Sequence, residues 1–277
     1  MSRIRIAVLG AGWWAVENHI PVLKSRPDVE IIGICRLGRE EMRRVQEHFE
    51  IPFGTEHYKE LLDLKGLQAV VVSSPHYLHF EHAAAVLEKG LHVMCEKPMA
   101  LRGVEADQLV KLAQAKRLHF VVPYGWNYTE LAATARKLVV QGAIGEIEHV
   151  QVLMGSALRD LLCGTGAWFA KESFCSPELP TWSDPAIGGG YAHGQLTHGL
   201  ALLFWITHLD PLEVFALMGT TSRGADLYDA VCCRFKNGAT GVLAGAGTIP
   251  PGSPKQMDVR VFWQSWSTSI GHRAPAT

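Results

Sequence analysis

The sequence has almost no net charge and no long apolar segment. Its 277 residues include 26 lysines and arginines against 27 aspartates and glutamates, a formal net charge of −1. Proteins that bind nucleic acid or an acidic membrane usually carry a basic excess, so neither partner is expected. No apolar run approaches the length that spans a bilayer, and the N-terminus does not resemble a signal peptide. We therefore expect a cytoplasmic protein.

Cysteine motifs and metal-ligand clusters are also scarce. None of the six cysteines forms a C-x-x-C pair, and most lie in strand-like runs: Cys35, Cys95, Cys163, Cys175, Cys232 and Cys233. We expect buried free thiols rather than zinc ligands. His76, His79 and His82 are spaced i, i+3, i+6, but no cysteine or carboxylate is spaced to complete a ligand set. No metal site is predicted.

Hydrophobic residues make up 48% of the chain, enough for two domains. Residues 1–123 alternate short apolar runs with amphipathic stretches. The predicted strands are Arg5–Leu9, Glu30–Cys35, Gln68–Val72, His92–Cys95 and His119–Val122. The predicted helices are Ala15–Ser25, Gly38–Phe49, His57–Leu62, Tyr77–Lys89 and Gly103–Lys116. This alternation predicts an α/β domain with a parallel sheet covered by helices on both faces.

The pattern changes from residue 124 onwards. A helix is predicted over Leu131–Gln141, followed by a long strand, Glu146–Met154, and an irregular stretch from Arg159 to Ile187. Gly188-Gly189-Gly190 opens an apolar helix that reaches about Ile206. Four further strands are predicted: Glu213–Met218, Ala230–Phe235, Ala239–Ala246 and Met257–Phe262. Residues 124–277 therefore predict a second, α+β domain with an open, largely antiparallel sheet. The periodicity vanishes from about residue 263, so we expect a truncated or frame-shifted C-terminus.

A glycine-rich turn follows the first predicted strand and precedes the first predicted helix. It has the G-x-G-x-x-A spacing of a dinucleotide-binding turn, in the run Gly10-Ala11-Gly12-Trp13-Trp14-Ala15. The first glycine permits the tight turn and the second lets the backbone approach a pyrophosphate. The small third residue lets the helix pack on the sheet. We therefore expect these residues to bind a nucleotide.

Several motifs together resemble the Gfo/Idh/MocA family of nicotinamide-dependent oxidoreductases, over about residues 3–262. Besides the glycine turn with His19 and Pro21, the matching runs are Val70 to Pro75 with His79, Glu96-Lys97-Pro98, Gly142-x-Ile144-Gly145, and Trp182 to Gly190 with His198. The resemblance implies a Rossmann domain, an open-faced C-terminal sheet that often forms a homo-oligomer, and sugar, cyclitol or polyol substrates. It also implies cofactor contacts at Ser74, Pro75, His79, Glu96 and Lys97.

Two residues fit the chemistry of oxidising a carbinol. His198 suits the base that takes the hydroxyl proton, because the unperturbed pKa of histidine lies near neutrality. Lys97 suits the cation that stabilises alkoxide character, and we expect both residues to contact substrate. Many family members carry an acidic residue four positions before this histidine, where the chain has Gly194. The neighbouring amide, Gln195, is a further expected substrate contact, and His193 is a substitute for the missing acid.

The aromatic residues Trp126, Trp168 and Trp182 offer a platform for the apolar face of a sugar, with Trp168 expected to bind substrate. Ordinary packing is the alternative for all three.

The choice of cofactor depends on the end of the second predicted strand. An acidic residue there binds the adenosine ribose and favours NAD. This chain has Arg36, which can clamp a 2′-phosphate or stack on adenine, so NADP is favoured over NAD. The alternative is that Arg36 is a solvated loop residue and both cofactors bind.

These expectations define an NAD(P)-dependent oxidoreductase that acts on a hydroxyl or carbonyl group of a sugar, cyclitol or related polyol. Two alternatives remain open. One is a redox-neutral glycosidase that uses tightly held NAD. The other is a cofactor-sensing regulator or non-catalytic relative, which Gly194 and the aberrant tail favour.

Overall fold

The computed structural model describes residues 3–167 and 173–264. Trp168 and the tail from residue 265 lie outside the described residues. Two sheets organise the described chain, one before and one after residue 124. Within the described ranges, no helix is both long and apolar enough to cross a membrane. The domain boundary expected between residues 123 and 124 stays a prediction.

The first sheet has six parallel strands in the order β3-β2-β1-β4-β5-β6. They are β1 (Ile4–Leu9), β2 (Val29–Cys35), β3 (Gly54–Thr55), β4 (Ala69–Val72), β5 (His92–Cys95) and β6 (Phe120–Val121). The predicted parallel sheet is confirmed. β3 was not predicted, because two residues are too short to show strand periodicity.

Helices cover both faces of this sheet. A π-helical turn, Ala15–His19, runs into α1 (Ile20–Lys24), and the others are α2 (Arg39–His48), α3 (Tyr58–Leu62), α4 (His79–Glu88) and α5 (Gly103–Lys116). Val70 and Val72 of β4 pack in a core with α3, α4 and α5, whereas Val71 packs on the opposite face with α2 and the turn before α1. Both faces of β4 are therefore covered, which explains why all four of its residues are apolar.

The second sheet has five strands in the order β11-β7-β10-β9-β8. They are β7 (Ile147–Gly155), β8 (Pro211–Thr220), β9 (Asp226–Phe235), β10 (Thr240–Ala246) and β11 (Gln256–Trp263). Only the β7–β10 pair is parallel, so the largely antiparallel prediction is confirmed. The inner face packs against α6 (Glu130–Val140) and α9 (Thr197–Thr207).

No segment within residues 3–167 and 173–264 covers the outer face of the second sheet. Its apolar side chains include Leu153, Phe215, Leu217, Tyr228, Val242 and Phe262, which are 43–66% exposed. β8 lies at the edge, and both of its faces are open. A surface of this size and apolarity usually marks an interaction site.

The stretch predicted as irregular holds short helices. They are α7 (Arg159–Cys163), α8 (Leu179–Ser183) and a 3-10 turn, Pro185–Ile187. The prediction was wrong here because segments of three to five residues are shorter than the window in which helical periodicity shows. The apolar helix after the glycines begins as a π-helical turn, Ala192–Leu196, and continues as α9. Two more 3-10 turns, His76–Leu78 and Gly125–Tyr128, complete the described elements.

Candidate active site

Backbone contacts shape the glycine turn that follows β1. Gly10 has φ +91°, and an ideal Cβ there would lie 2.4 Å from the backbone nitrogen of Ser74, just after β4. Only glycine fits a positive φ together with so close an approach. The amides of Gly10 and Ala11 donate to the carbonyl of Cys35 at 2.9 and 3.0 Å. The turn is therefore fixed to the ends of both neighbouring strands.

Gly12, two residues further on, faces open space. The nearest heavy atom to its ideal Cβ is Nη1 of Arg36, 4.0 Å away. A side chain at this position would fill the space in front of the turn. Glycine instead leaves the backbone and the start of the following helix accessible to a phosphate. On this observation the chain fits the pyrophosphate of a dinucleotide.

A cavity of about 290 Å³, the turn cavity, opens in front of these glycines. Because the carboxyl ends of parallel strands meet at one edge of a sheet, it collects residues from the ends of several strands. Ten of the eleven predicted cofactor residues line it: Gly10, Gly12, Trp13, Trp14, Arg36, Ser74, Pro75, His79, Glu96 and Lys97. The exception is Ala11, which is fully buried in the core behind the turn.

His76, His79 and His82, whose spacing did not predict a metal site, form hydrogen bonds around this cavity. Each ring nitrogen of His79 lies 2.7 Å from a backbone carbonyl oxygen, one of Pro98 and one of Ser74. His82 bonds the Ser74 hydroxyl at 2.9 Å, and His76 bonds the Gly188 carbonyl at 2.9 Å. In the part of the chain that the structure describes, no group of three ligand-type side chains is arranged to hold a metal.

Glu96 is a buried carboxylate with a full set of donors. Its Oε1 accepts from the indole nitrogen of Trp14 at 2.9 Å and faces Nε2 of His19 at 2.8 Å, and Oε2 accepts from the amide of Lys97 at 3.1 Å. Burial alone would raise the pKa of Glu96, but the hydrogen bond from His19 and the charge of Lys97 outweigh it and hold that pKa at about 2. Glu96 is therefore ionised near neutral pH.

Lys97, the next residue, is buried between the two sheets. Its Nζ donates to the carbonyl of Gly194 at 2.8 Å and lies 4.9 Å from the centre of the Trp182 ring, a cation–π distance. Burial lowers the pKa of Lys97 to about 8, against the opposing effect of Glu96 and with a further lowering by Lys255. Lys97 is thus a cation that can lose its proton within a unit of neutral pH.

His198 lies in the first turn of α9. Its ring meets Tyr124 edge-to-face at 5.6 Å, and the Tyr124 hydroxyl is 2.7 Å from that of Thr197. Among residues 3–167 and 173–264, nothing bonds its buried Nδ1. Burial and the charges of Lys97 and Lys255 lower the pKa of His198 to about 3, so the ring is neutral near pH 7.

A second cavity, of about 570 Å³, contains His198, and we call it the histidine cavity. Its lining comes from both halves of the chain, before and after residue 124. It shares Trp13, Trp14, Lys97 and Trp182 with the turn cavity. Gln195, the predicted substrate contact, and Trp126, a predicted platform aromatic, also line it. Lys97 and His198 therefore face one cavity, beside the place where a dinucleotide fits.

The position of the missing acidic residue is filled by an aromatic ring. An ideal Cβ on Gly194 would lie 3.0 Å from Cζ3 of Trp182, so the indole occupies the space a longer side chain would need. The Gly194 carbonyl contacts Lys97 instead of a carboxylate. His193, the proposed substitute, is exposed and lines neither cavity, so it does not replace the acid.

The end of β2 holds Arg36 next to the glycine turn. Its Nη1 donates to the carbonyl of Ala11 at 2.9 Å and to Sγ of Cys175 at 3.4 Å. Glu56, which follows β3, lines the turn cavity beside Arg36 and accepts from the amide of Gly38 at 2.9 Å. Sequence reasoning missed Glu56, because the strand that carries it is only two residues long.

Lys255 is the other residue that sequence reasoning missed. It lies between β10 and β11, after a Pro-Gly turn with no hydrophobic pattern, and it lines the histidine cavity. Its charge is close enough to lower the pKa of both Lys97 and His198. No sequence signal places it there, since the contact depends on the pairing of β11 with β7.

A glycine turn beside a lysine–histidine cavity is typical of the class of dinucleotide-binding oxidoreductases. Two family models match the chain: an oxidoreductase family with an NAD-binding Rossmann fold over residues 4–124, and the GFO/IDH/MocA C-terminal domain over residues 132–262. The chain belongs to the Gfo/Idh/MocA oxidoreductase family.

Individual relatives agree with this assignment. The chain is 30% identical over 169 residues to the D-glucoside 3-dehydrogenase of Escherichia coli, covering 60% of this chain and 46% of that protein. It is 28% identical over 152 residues to the scyllo-inositol 2-dehydrogenase (NADP(+)) of Bacillus subtilis, covering 55% and 42%. The chain therefore spans about half the length of the relatives it matches.

A solved structure shows the same fold. The myo-inositol 2-dehydrogenase of Lactobacillus plantarum superimposes with a TM-score of 0.77 at 21% identity, over 96% of this chain and 75% of that one. At this identity the likeness concerns the fold.

Proposed function

We propose that the chain oxidises a hydroxyl group of a sugar, cyclitol or related polyol, or reduces the matching carbonyl, with a nicotinamide dinucleotide. The observation that carries the proposal is that Lys97 and His198 line one cavity, which shares four residues with the cavity in front of the glycine turn. The sugar and inositol dehydrogenases among the relatives support the substrate class.

The dinucleotide, held at the glycine turn with Ser74 and Pro75 beside it, supplies the hydride acceptor. This chain's own residues handle the proton. The neutral ring of His198 accepts the hydroxyl proton, and the ammonium of Lys97 stabilises the oxygen as it gains negative charge.

Burial is the main cause of the low pKa of His198, and the charges of Lys97 and Lys255 lower it further while Glu96 opposes them. Negative charge that develops on the substrate oxygen offsets those cations, so it favours the protonated ring as the reaction proceeds. In the reverse direction His198 returns the proton.

Turnover should follow these two titrations. With His198 titrating at about 3 and Lys97 at about 8, kcat/KM should be flat from about pH 5 to 7. It should fall above pH 8, because the ammonium is the acid form of Lys97 and is lost as the pH rises through its pKa. A rising limb centred near the ordinary histidine pKa of about 6.5 would contradict the assigned roles.

NADP is the proposed cofactor, with support from the guanidinium of Arg36 at the end of β2. Two of its contacts use a single nitrogen, and guanidinium carries five N–H donors, enough to bind a phosphate as well. Glu56 beside it favours NAD by charge. We expect NADP to bind more tightly than NAD and Arg36→Gln to lower that ratio about tenfold. An unchanged ratio would argue for Arg36 as a structural residue only.

The open outer face of the second sheet supports a homo-oligomer. We propose that a second copy covers this face, because Phe215 and Leu217 on the edge strand are 65% and 66% exposed. Sedimentation of the wild type and of Leu217→Glu tests it: the wild type should be dimeric or larger and the variant smaller.

All six cysteines are free thiols, which supports a reducing, cytoplasmic setting.

Thermal unfolding with and without saturating dinucleotide tests the central proposal. At about 100 times Kd, binding adds about 2.7 kcal/mol of stability and raises Tm by several degrees. Polyols are then screened for formation of reduced cofactor. A shift together with turnover supports the dehydrogenase. A shift without turnover of any polyol would favour the cofactor-sensing regulator, and release of a sugar without net reduction would favour the glycosidase.

A further inference from the structure

The histidine cavity has an unusual charge for a site that holds a neutral polyol. Two lysines, Lys97 and Lys255, line it, and no described lining residue is acidic. The nearby carboxylate, Glu96, lines the turn cavity instead and is already bonded to Trp14 and His19. The described lining of the cavity therefore has two cations and no anion, and Glu96 offsets part of the Lys97 charge from outside it.

The absence of an acid at position 194 makes this charge possible. In this chain the Trp182 indole fills the space beside Gly194, and Lys97 is held by a carbonyl oxygen and an aromatic face. Both partners are uncharged, so neither of them offsets the charge of Lys97.

Lys255 acts on the cavity from the second domain. The turn that precedes β11 places it there: Ser253 donates from its amide to the carbonyl of Pro250 at 3.1 Å, and Gly252 has φ +81°. Ser253 lines the cavity with Lys255. The lysine is exposed, at the solvent side of the cavity, yet its charge reaches both Lys97 and His198.

We infer that the histidine cavity binds an anionic sugar derivative, whose carboxylate or phosphate group is bound by Lys255 while a hydroxyl lies between Lys97 and His198. The inference rests on the proposed function. An anion at Lys255 supplies the counter-charge that the cavity lacks. It also removes a cation that disfavours protonation of His198, so the same contact that binds the substrate assists the proton transfer.

The cavity volume agrees with this assignment. At about 570 Å³ it is twice the size of the turn cavity and lies well within the range of sites for small-molecule ligands. A sugar with one charged substituent fits that range.

The experiment measures binding by calorimetry, with the protein saturated in dinucleotide and the ionic strength held constant. The probes are glucuronate, glucose 6-phosphate and glucose, which share a ring and differ in the charged group. The variants are Lys255→Gln and, as a matched control, Lys236→Gln. Lys236 is an exposed lysine paired with Asp210 at 3.3 Å and lines neither cavity.

At least one of the two anions should bind about tenfold or more tightly than glucose, and Lys255→Gln should abolish that preference while Lys236→Gln retains it. The anion that binds more tightly shows whether the site prefers a carboxylate or a phosphate ester. The Lys255→Gln variant should also move the basic limb of the pH–rate profile upward, because removing a nearby cation raises the pKa of Lys97.

Equal binding of glucose and both anions, binding of none of the three, or an anion preference that survives Lys255→Gln would overturn the inference. Dinucleotide binding is measured first and separately. If it fails, the proposed oxidoreductase function itself falls; if it succeeds and the anion preference is absent, only the present inference falls.

Discussion

Buried polar groups are satisfied to different degrees in the two halves of the molecule. In the first half, Glu96 has three donors, and each ring nitrogen of His79 lies 2.7 Å from a backbone carbonyl oxygen. In the second half, buried side-chain atoms of Asn127, Gln195, His198 and Asp229 have no partner within the described chain. The first half has one such atom, Nε of Arg36.

This difference shows where a ligand gains most. An unpaired buried polar atom costs about 1–3 kcal/mol, a cost that a ligand's own donors and acceptors can remove. Gln195 and His198 line the histidine cavity, so they are the groups that a substrate can satisfy. On the glycine-turn side only Nε of Arg36 lacks a partner among the described residues, and a dinucleotide there meets a backbone surface fixed by its own contacts.

The largest effect on stability should come from a substitution in the glycine turn of the first half. Gly10→Ala puts a Cβ 2.4 Å from backbone at φ +91°, and we expect it to lower the free energy of unfolding by about 4 kcal/mol. Gly12→Ala is the matched variant, since its Cβ meets only Arg36 at 4.0 Å. It should fold normally and lose at least about tenfold in dinucleotide affinity. Urea unfolding and fluorescence titration measure the two effects.

Equal stability losses in the two glycine variants would show that the turn does not depend on the contact with Ser74. Normal dinucleotide binding by Gly12→Ala would show that the pyrophosphate does not approach the turn there.

The next effect concerns Lys97, where the two halves meet. Lys97→Met keeps the length of the side chain and removes the ammonium, so kcat/KM should fall about 10²- to 10³-fold. Dinucleotide affinity should change by less than about fivefold, because the glycine turn supplies most of that site. Steady-state rates and cofactor titration measure both, with Lys236→Met as control. A variant with wild-type turnover would remove Lys97 from the chemistry.

The same contrast explains what could be predicted from the sequence. Three motifs directly follow apolar strands: the glycine turn, Ser74 and the Glu96-Lys97 pair. Because parallel strands end at one edge of the sheet, these local motifs were enough to predict that their residues lie together. Glu56 follows a two-residue strand. Lys255 reaches the cavity only because its neighbour Gln256 pairs with Gly155 of β7, which lies 101 residues earlier in the chain. Such residues carry no local periodicity. The use of Trp182 to fill the space at Gly194 likewise depends on packing between distant segments.

A moderate effect should come from the unpaired carboxylate of Asp229. Burial and the neighbouring Asp226 raise the pKa of Asp229 to about 7. Since the folded pKa is above the unfolded one, this group's stabilisation is fully present below pH 3.8 and is lost as the pH rises through about 7. Asp229→Asn should therefore be about 2 kcal/mol more stable than the wild type at pH 8 and nearly equal at pH 4.

Thermal unfolding at both pH values measures this difference, and Asp210→Asn, an exposed aspartate paired with Lys236, is the control. Glu96 has the opposite sign: its folded pKa of about 2 lies below the ordinary 4.5, so its contribution is present above pH 4.5 and is lost as the pH falls through 2. A gain from Asp229→Asn that did not depend on pH would mean that the pKa of Asp229 is the same in the folded and the unfolded protein.

The smallest effect, and the most direct test of the contrast, compares one buried polar side chain from each half. Gln195→Leu removes an unpartnered Oε1, so stability should stay equal or rise by up to about 1 kcal/mol, while substrate KM should increase. Ser74→Ala removes the hydroxyl that His82 bonds at 2.9 Å and should cost about 1 kcal/mol. Urea unfolding of the two variants would show opposite signs. A loss of stability in both would mean that Gln195 is satisfied by the protein itself and does not wait for a substrate.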